Sequence, residues 1–345
     1  MPSEPTDPRS PRVPLEAKVE FLKRPEAYPE RPRRVETVET HMSWVFLTDR
    51  YAYKLKKPVR YDYLDYGTVE ARRRNSAEEI RLNRRLALEV YLDLVPLVGD
   101  AADGLRLGGA GVPVDWLVKM RRLPEAVRLD RTIETGTLDE AELRQAATLL
   151  AEFYRRAPPV EVAPADYRRG FAASIEGSRR DLLRPEFGLP AVPLERATAA
   201  QLRFLEGRSE VLDRRVRERR IVEAHGDLRP EHIYLGPQPV IVDCLEFNRA
   251  FRILDPADEL AYLAMECDRL DASAVGQLFL DTYGRVTGDE PPAPLLRFYK
   301  CYRACLRAKI AIWHLDEPAP RDRAQWTDRA ATYLRLAEGY AEALP

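Results

Sequence analysis

The first third of the chain alternates apolar and polar positions, and from about residue 139 the spacing of apolar residues changes to three-to-four. Arg34-Val35-Glu36-Thr37-Val38-Glu39-Thr40 alternates as a strand does. Trp44 to Thr48 predicts a second strand, Asp49-Arg50 a two-residue turn, and Tyr51-Ala52-Tyr53-Lys54-Leu55-Lys56 a third strand. A connector from Lys57 to Gly67 carries Pro58 and several tyrosines. Thr68 reads as an N-cap with Glu70 in the first turn, opening a helix to about Leu88. Asp93 to Val98 and Gly104 to Leu107 predict a pair of short strands, and Asp115 to Met120 another. Beyond Asp139, Leu143, Ala146, Ala147, Leu150, Phe153 and Tyr154 form an amphipathic stripe. Further helices are predicted over Phe171–Leu183, Ala197–Glu218, Asp255–Cys267, Ala272–Gly284, Ala293–Leu315 and Ala324–Ala343. The proline-rich breaks near residues 157–159, 185–193 and 291–294 separate helices rather than domains, and there is no internal repeat. The expected class is α+β, with a β-rich N-terminal part holding one long helix and a larger helical part after it.

Composition narrows the function more than the fold. Of 345 residues, 55 are basic and 56 acidic, so bulk electrostatic attraction to nucleic acid or to a membrane surface is not expected. No apolar run approaches the roughly 20 residues that span a bilayer. Met1 to Pro14 is rich in proline and charge and lacks a signal peptide's apolar segment, so it predicts a disordered tail. Cys244, Cys267, Cys301 and Cys305 form no C-x-x-C pair, which fits a reduced, cytoplasmic protein, monomeric or homodimeric. Cys301 and Cys305, one helical turn apart, read as core contacts. The run from Arg214 to Arg220 reads as a solvated helix face.

The chemistry is concentrated in His225-Gly226-Asp227-Leu228-Arg229-Pro230-Glu231-His232-Ile233-Tyr234-Leu235, followed by Val240-Ile241-Val242-Asp243-Cys244-Leu245-Glu246-Phe247. A polar loop, an apolar strand, the turn Gly236 to Pro239 and a second strand ending on an acid form a hairpin, and this places Asp227 and Asp243 at the mouth of one site. Phosphoryl transfer needs such a pair: one Asp orients and deprotonates a hydroxyl, and the other holds the metal on the nucleotide phosphates. The kinase pattern H-R-D-x-x-x-x-N, then a strand and a metal-binding Asp, lies over the segment with one mismatch, His232 in place of Asn.

The hairpin, the β-β-β-α-β-β-β order upstream and the helical remainder together resemble the aminoglycoside phosphotransferase family, which has a protein-kinase-like fold. The likeness covers nearly the whole chain. It is similar to a bacterial branch carrying stretches like Glu39-Thr40-His41-Met42-Ser43-Trp44-Val45-Phe46-Leu47, Tyr51-Ala52-Tyr53-Lys54-Leu55-Lys56-Lys57-Pro58 and Asp243-Cys244-Leu245-Glu246-Phe247-Asn248. Some members of that branch append a P-loop ATPase domain, and this sequence has no G-x-x-x-x-G-K-[ST] and no room for one. The resemblance implies a tail over residues 1–14, a nucleotide-binding N-lobe over 15–120 and a helical C-lobe over 121–345 with the hairpin and the acceptor site. It implies ATP and Mg²⁺, with Mn²⁺ as the alternative ion, and a small-molecule acceptor.

Residue by residue, Asp227 matches the loop Asp that takes or orients the hydroxyl proton, and Asp243 matches the metal Asp. His225 matches a His that braces the loop. Lys54 stands where the strand Lys that contacts the α- and β-phosphates is expected, with Lys56 on the same face as the fallback. Its partner is Glu79, which shares a helix face with Leu82 and Leu86, or else Glu78. Ser43, in the glycine-free loop Thr40 to Ser43, is a candidate phosphate contact, and Met120 and Arg122 flank the expected adenine-binding connector Met120 to Leu123. Glu246, Asn248, Arg303 and Arg307 are candidate acceptor contacts, with Tyr299 on the same helix face. Asp255 opens a helix, and Asp258 resembles the Asp that braces the catalytic loop. His232 leaves three readings open: a one-metal site in which it bonds Asp227 or a phosphate, a ligand to Mn²⁺, or a weakened, pseudokinase-like site, with Glu231 as a substitute carboxylate. The expected activity is ATP-dependent phosphorylation of a sugar, amino-sugar or polyol hydroxyl. The alternatives are a nucleotide-binding regulatory module without turnover and AMP transfer to protein.

Overall fold

The computed structural model of the chain describes residues 13–61, 63–100, 104–316 and 323–345. The expected tail over residues 1–14 lies outside them except for Val13 and Pro14. The chain divides into two compact units: Met1–Glu125 with Ile241–Arg249, and Ala126–Val240 with Ala250–Pro345. The sequence suggested a boundary at 120/121, and the first break between these units lies at 125/126. The segment carrying Asp243 and Glu246, expected in the C-terminal part, packs with the first unit.

The first unit is built on a six-stranded antiparallel sheet of β1 (Glu36–Glu39), β2 (Ser43–Leu47), β3 (Tyr51–Lys56), β6 (Tyr91–Asp100), β7 (Gly104–Leu107) and β8 (Val112–Arg121), in the order β1-β2-β3-β8-β6-β7. A two-residue hairpin, β4 (Arg60–Tyr61) with β5 (Leu64–Asp65), interrupts the connector. β6 runs longer than the expected Asp93–Val98 because two register shifts, at Tyr91/Asp93 and Leu97/Val98, let it follow β8 past its irregularities. One sheet face buries Phe46, Tyr53, Leu55, Leu97 and Leu117 against Val19 and Leu22 of α1 (Leu15–Leu22), a short helix that the apolar spacing did not reveal. Lys18 of α1 is buried with its Nζ 2.8 Å from Asp115, whose carboxylate also takes a two-pronged pair from Arg72. α2 (Val69–Asn83) packs on β6 and β8. Thr68 caps it as expected, accepting from the Ala71 N–H at 3.0 Å, but it ends at Asn83 rather than Leu88.

The second unit is helical: α3 (Leu129–Thr135), α4 (Glu140–Arg156), α5 (Pro164–Leu182), α6 (Ala191–Gly207), α7 (Ser209–Arg217), α8 (Pro256–Arg269), α9 (Ser273–Thr287), α10 (Ala293–Trp313) and α11 (Arg323–Glu342). The single helix expected over Ala197–Glu218 is two, broken at Gly207-Arg208. α8 is buried from Pro256 to Cys267 and forms the centre of this unit, packing on α9 and α10. Gly276 permits the α8–α9 contact, since a Cβ there would stand 2.6 Å from the Ala264 Cα. A helix buried on every side must pair each charge it carries. Asp258 takes both prongs of Arg303 at 2.7 and 2.5 Å, Glu266 pairs with Arg269 and Arg307, and Glu259 turns to the motif loop. Val222–Glu223 pairs with Ile253–Leu254, which fixes one end of that loop. The expected solvated arginine run is corrected at Arg215, which is buried between Asp255 and Asp289. The four cysteines are buried, and none forms a disulfide.

Candidate active site

In the first unit, strand alternation puts Lys54 and Lys56 on the same face of β3, opposite Tyr53 and Leu55 in the sheet core. Lys54 Nζ lies 2.9 Å from Glu79 Oε1 and 3.0 Å from Asp243 Oδ1. Glu79 is fully buried on α2, and its other oxygen is 2.6 Å from Lys56 Nζ. Glu78, the alternative partner, is paired instead with Arg81 at the surface. Lys56 also bonds Glu246, and the Tyr66 hydroxyl donates to Glu246 at 2.6 Å. One carboxylate thus joins two lysines, and each lysine reaches a second acid on the segment Ile241–Arg249. Burial opposes the charge on Lys54, but Asp243, Glu79 and Glu246 outweigh it and hold its pKa well above the usual lysine value. Burial likewise opposes ionisation of Glu246, and Lys56 and Lys54 reverse the effect and depress its pKa.

Asp243 occupies the left-handed region, with φ of 63°. Its N–H donates to the Tyr91 hydroxyl at 3.1 Å, and the next N–H, of Cys244, donates to Asn83 Oδ1 at 2.9 Å. The ends of β6 and α2 therefore hold the turn that presents this half-exposed carboxylate.

Several expected contacts are corrected here. Ser43 is buried, and its backbone closes the Thr40–Ser43 turn, accepting from the Thr40 N–H at 2.8 Å and donating to Thr40 Oγ1 at 3.0 Å. Met120 is paired on both sides of β8, and the Arg122 N–H is used by Arg50 O at 2.9 Å. The Arg122 side chain bonds Thr48 O and Glu36. Only at Leu123 does the connector N–H lack a partner among the described residues. Glu246 was expected on the acceptor side but is held by Lys56 and Tyr66, while Asn248 is half-buried.

In the second unit, Asp227 Oδ1 accepts from the Tyr262 hydroxyl at 2.9 Å and Oδ2 from Arg229 Nε at 3.2 Å. Burial alone would raise its pKa, but Arg229 above all, with Arg307 and the Tyr262 hydroxyl, holds the carboxyl well below the usual aspartate range. His232 Nδ1 is 2.7 Å from the Asp227 carbonyl oxygen, and Nε2 is 2.9 Å from Arg229 Nη2. Arginine only donates, so Nε2 accepts and Nδ1 carries the proton that the carbonyl receives. Both ring nitrogens are engaged within the loop, and the ring closes it across Asp227 and Arg229. Glu231 faces away, near Arg229, Arg269 and Arg329 at 3.6–4.0 Å, beside a polar cavity of about 550 Å³. His225 is fully buried, and its Nδ1 receives the Asp227 N–H at 3.3 Å.

The brace from α8 is Glu259, one residue beyond the expected Asp258. Its carboxylate takes the N–H groups of His225 at 3.0 Å and Gly226 at 2.5 Å, and the Tyr154 hydroxyl at 2.6 Å. Asp258 is committed to Arg303, the candidate acceptor contact, which it holds with both carboxylate oxygens. Tyr299 is fully buried and bonds Asp255, which also caps α8 and pairs with Arg215. Arg307 remains beside Asp227, with Nε 3.0 Å from Glu266. Sequence reasoning missed Arg229, Glu259 and Tyr262. Arg229 stood in the motif itself, whereas the other two had no local signal.

No family model matches the chain. It is 33% identical over 293 residues to an uncharacterised protein of Mycobacterium tuberculosis, a match covering 84% of this chain and 57% of that protein. The chain thus spans little more than half of that relative's length. Among solved structures, a choline/ethanolamine kinase family protein from Mesorhizobium loti superposes with a TM-score of 0.53 at 15% identity, covering 95% of this chain and 99% of that one. The aminoglycoside 2′-phosphotransferase-IIIa in its GDP complex gives 0.51 at 15% identity, covering 89% and 93%. The chain has the protein-kinase-like fold of the aminoglycoside phosphotransferases and the choline/ethanolamine kinases, with a curled antiparallel sheet in the N-lobe and a helical C-lobe.

Proposed function

We propose that the protein is a small-molecule phosphotransferase that moves the γ-phosphoryl group of ATP to an alcohol. The observation that carries this is Lys54, whose one ammonium lies within 3.0 Å of both Glu79 and Asp243. A lysine fixed between a buried helix glutamate and an exposed strand-end aspartate is the phosphate-binding arrangement of kinase chemistry. Glu79 and Lys56 keep Lys54 oriented, and Lys54 binds the α- and β-phosphates. The Leu123 N–H is the backbone donor available to the adenine edge. Asp243 fits magnesium in being a half-exposed hard oxygen donor. Bound there with the nucleotide, the ion supplies neutralisation of the phosphate charge. Asp227, held ionised by Arg229 and aimed by Tyr262, orients the acceptor hydroxyl, so positioning and charge carry most of the rate. No helix among the described residues is long and apolar enough to cross a membrane, and the buried thiols suit a reducing, cytoplasmic setting.

A second reading, a nucleotide-binding module without turnover, is favoured by one feature: the kinase pattern's second metal-binding Asn is His232, which is fully engaged within its own loop. Turnover of ATP and GTP, compared for wild type, Lys54→Met and Asp227→Asn, decides between the two. The phosphotransferase loses about 10²–10⁴-fold in kcat with Asp227→Asn while nucleotide affinity is nearly kept, and Lys54→Met weakens nucleotide binding itself. Binding without turnover in the wild type selects the second reading, and labelled AMP on protein selects adenylyl transfer.

A further inference from the structure

Arg307 has a geometry that binding the nucleotide does not use. It lies on α10, one turn beyond Arg303, with its side chain only 13% exposed. Nε is committed to Glu266 at 3.0 Å and to the Tyr333 hydroxyl at 3.4 Å. Among the described residues neither Nη1 nor Nη2 has a hydrogen-bond partner, and neither is a fully buried orphan. The stem is therefore packed away while four N–H bonds of the guanidinium are left without a protein partner among the described residues. Arg303, by contrast, is satisfied by Asp258.

The direction of that open fork follows from the packing of α10 on α8. The Arg303 guanidinium lies 5.2 Å from the Tyr262 ring, Tyr262 donates to Asp227, and Glu266 follows Tyr262 by one turn of α8. Arg307 bonds Glu266, so it stands on the α8 face that also holds the catalytic-loop aspartate. The acids nearby are already committed. Glu266 is shared by Arg269, Arg307 and Tyr333, and Glu231 lies among Arg229, Arg269 and Arg329. A cationic acceptor brought to Asp227 would meet Arg229 and Arg307, while Asp227 already accepts from Tyr262 and Arg229. An anionic group would find a preorganised two-pronged donor.

We propose that Arg307 is a specificity residue that receives a carboxylate or phosphate group carried by the acceptor alcohol. The substrate class is then an anionic hydroxy compound, such as a sugar acid or a sugar phosphate, rather than an amino-sugar or a quaternary ammonium alcohol. This rests on the phosphotransferase reading above, and the test separates the two.

The full chain, loaded with magnesium and a non-hydrolysable ATP analogue, is titrated calorimetrically with acetate, inorganic phosphate, gluconate and glucose 6-phosphate, with glucose and glucosamine as neutral and cationic controls. Saturable binding is expected for the anions only, and the stronger series, carboxylates or phosphates, identifies the group. Arg307→Gln is expected to weaken that binding by about tenfold or more, and Arg307→Lys, which keeps a cation beside Glu266 and so protects the fold, by an intermediate amount. Failure of every anion to bind, equal binding to both variants, or preference for glucosamine overturns the proposal. Turnover with active nucleotide is read separately. Binding of anions without any phosphoryl transfer keeps the anion site and removes the phosphotransferase reading, while failure to load the nucleotide removes that reading at the start.

Discussion

Asp243 combines an exposed carboxylate with a left-handed backbone, φ 63°, that Asn shares readily and Ala does not. Asp243→Asn should therefore fold at near wild-type stability while losing metal-dependent nucleotide affinity, and Asp243→Ala should cost about 1 kcal/mol more in denaturant unfolding. Equal stability of the two variants would contradict a strained turn. His232→Ala, which adds no ligand, should leave the ratio of activities with Mg²⁺ and Mn²⁺ unchanged, because the imidazole is engaged with Asp227 O and Arg229; a changed ratio would restore it as a ligand. The depressed pKa of Asp227 has a definite sign. A carboxylate stabilised in the folded state contributes fully above its unfolded value of about 4 and loses that contribution as pH falls below it. Activity should accordingly show no acid limb from Asp227 above about pH 4, and acid unfolding should be less steep in Asp227→Asn. The pairing of Lys54 with Glu79 was legible in the sequence because strand alternation and helix facing specify it, and Asp227 and Asp243 stand out there through a local motif. Glu259 replaced Asp258 as the brace because helical phase near a buried helix start is settled by packing, and sequence spacing fixes it to within one residue at best. The partners of Arg303 and Glu246 were not foreseen for a related reason: they lie 45 and 190 residues away in the chain.

At the scale of elements, β3 and α2 meet through a carboxylate shared by two lysines. Lys56→Met leaves Glu79 and Glu246 buried without their common cation, so it should destabilise by about 3–5 kcal/mol, more than Lys54→Met, whose place is partly open to solvent. Thermal unfolding of the two variants measures this, and a larger loss in Lys54→Met would reverse the assignment of anchor and phosphate ligand. Gly276→Ala forces α9 away from α8 and should cost about 1–3 kcal/mol. The order of strands and helices was legible from periodicity, as was the Thr68 cap. The bulged length of β6 and the break at Gly207-Arg208 were not, because pairing with β8 and packing on neighbours decide where those elements run and stop.

For the whole molecule, near-zero net charge gives no bulk electrostatic steering, so the proposed function assigns recognition to placed groups such as Lys54, Asp227 and Arg307. Ligand linkage gives a global readout: magnesium with ATP at about 100 times its dissociation constant should stabilise the fold by about 2.7 kcal/mol, and Lys54→Met should lose that shift. The central claim is transfer of the γ-phosphoryl group to an alcohol, oriented by Asp227. The most direct measurement follows γ-labelled and α-labelled ATP in parallel, with wild type and Asp227→Asn, in the presence of anionic hydroxy acceptors. The account predicts label from the γ position on the small molecule, ADP as the other product, and near-complete loss in the variant. Label from the α position on protein, or undiminished transfer by Asp227→Asn, would contradict it.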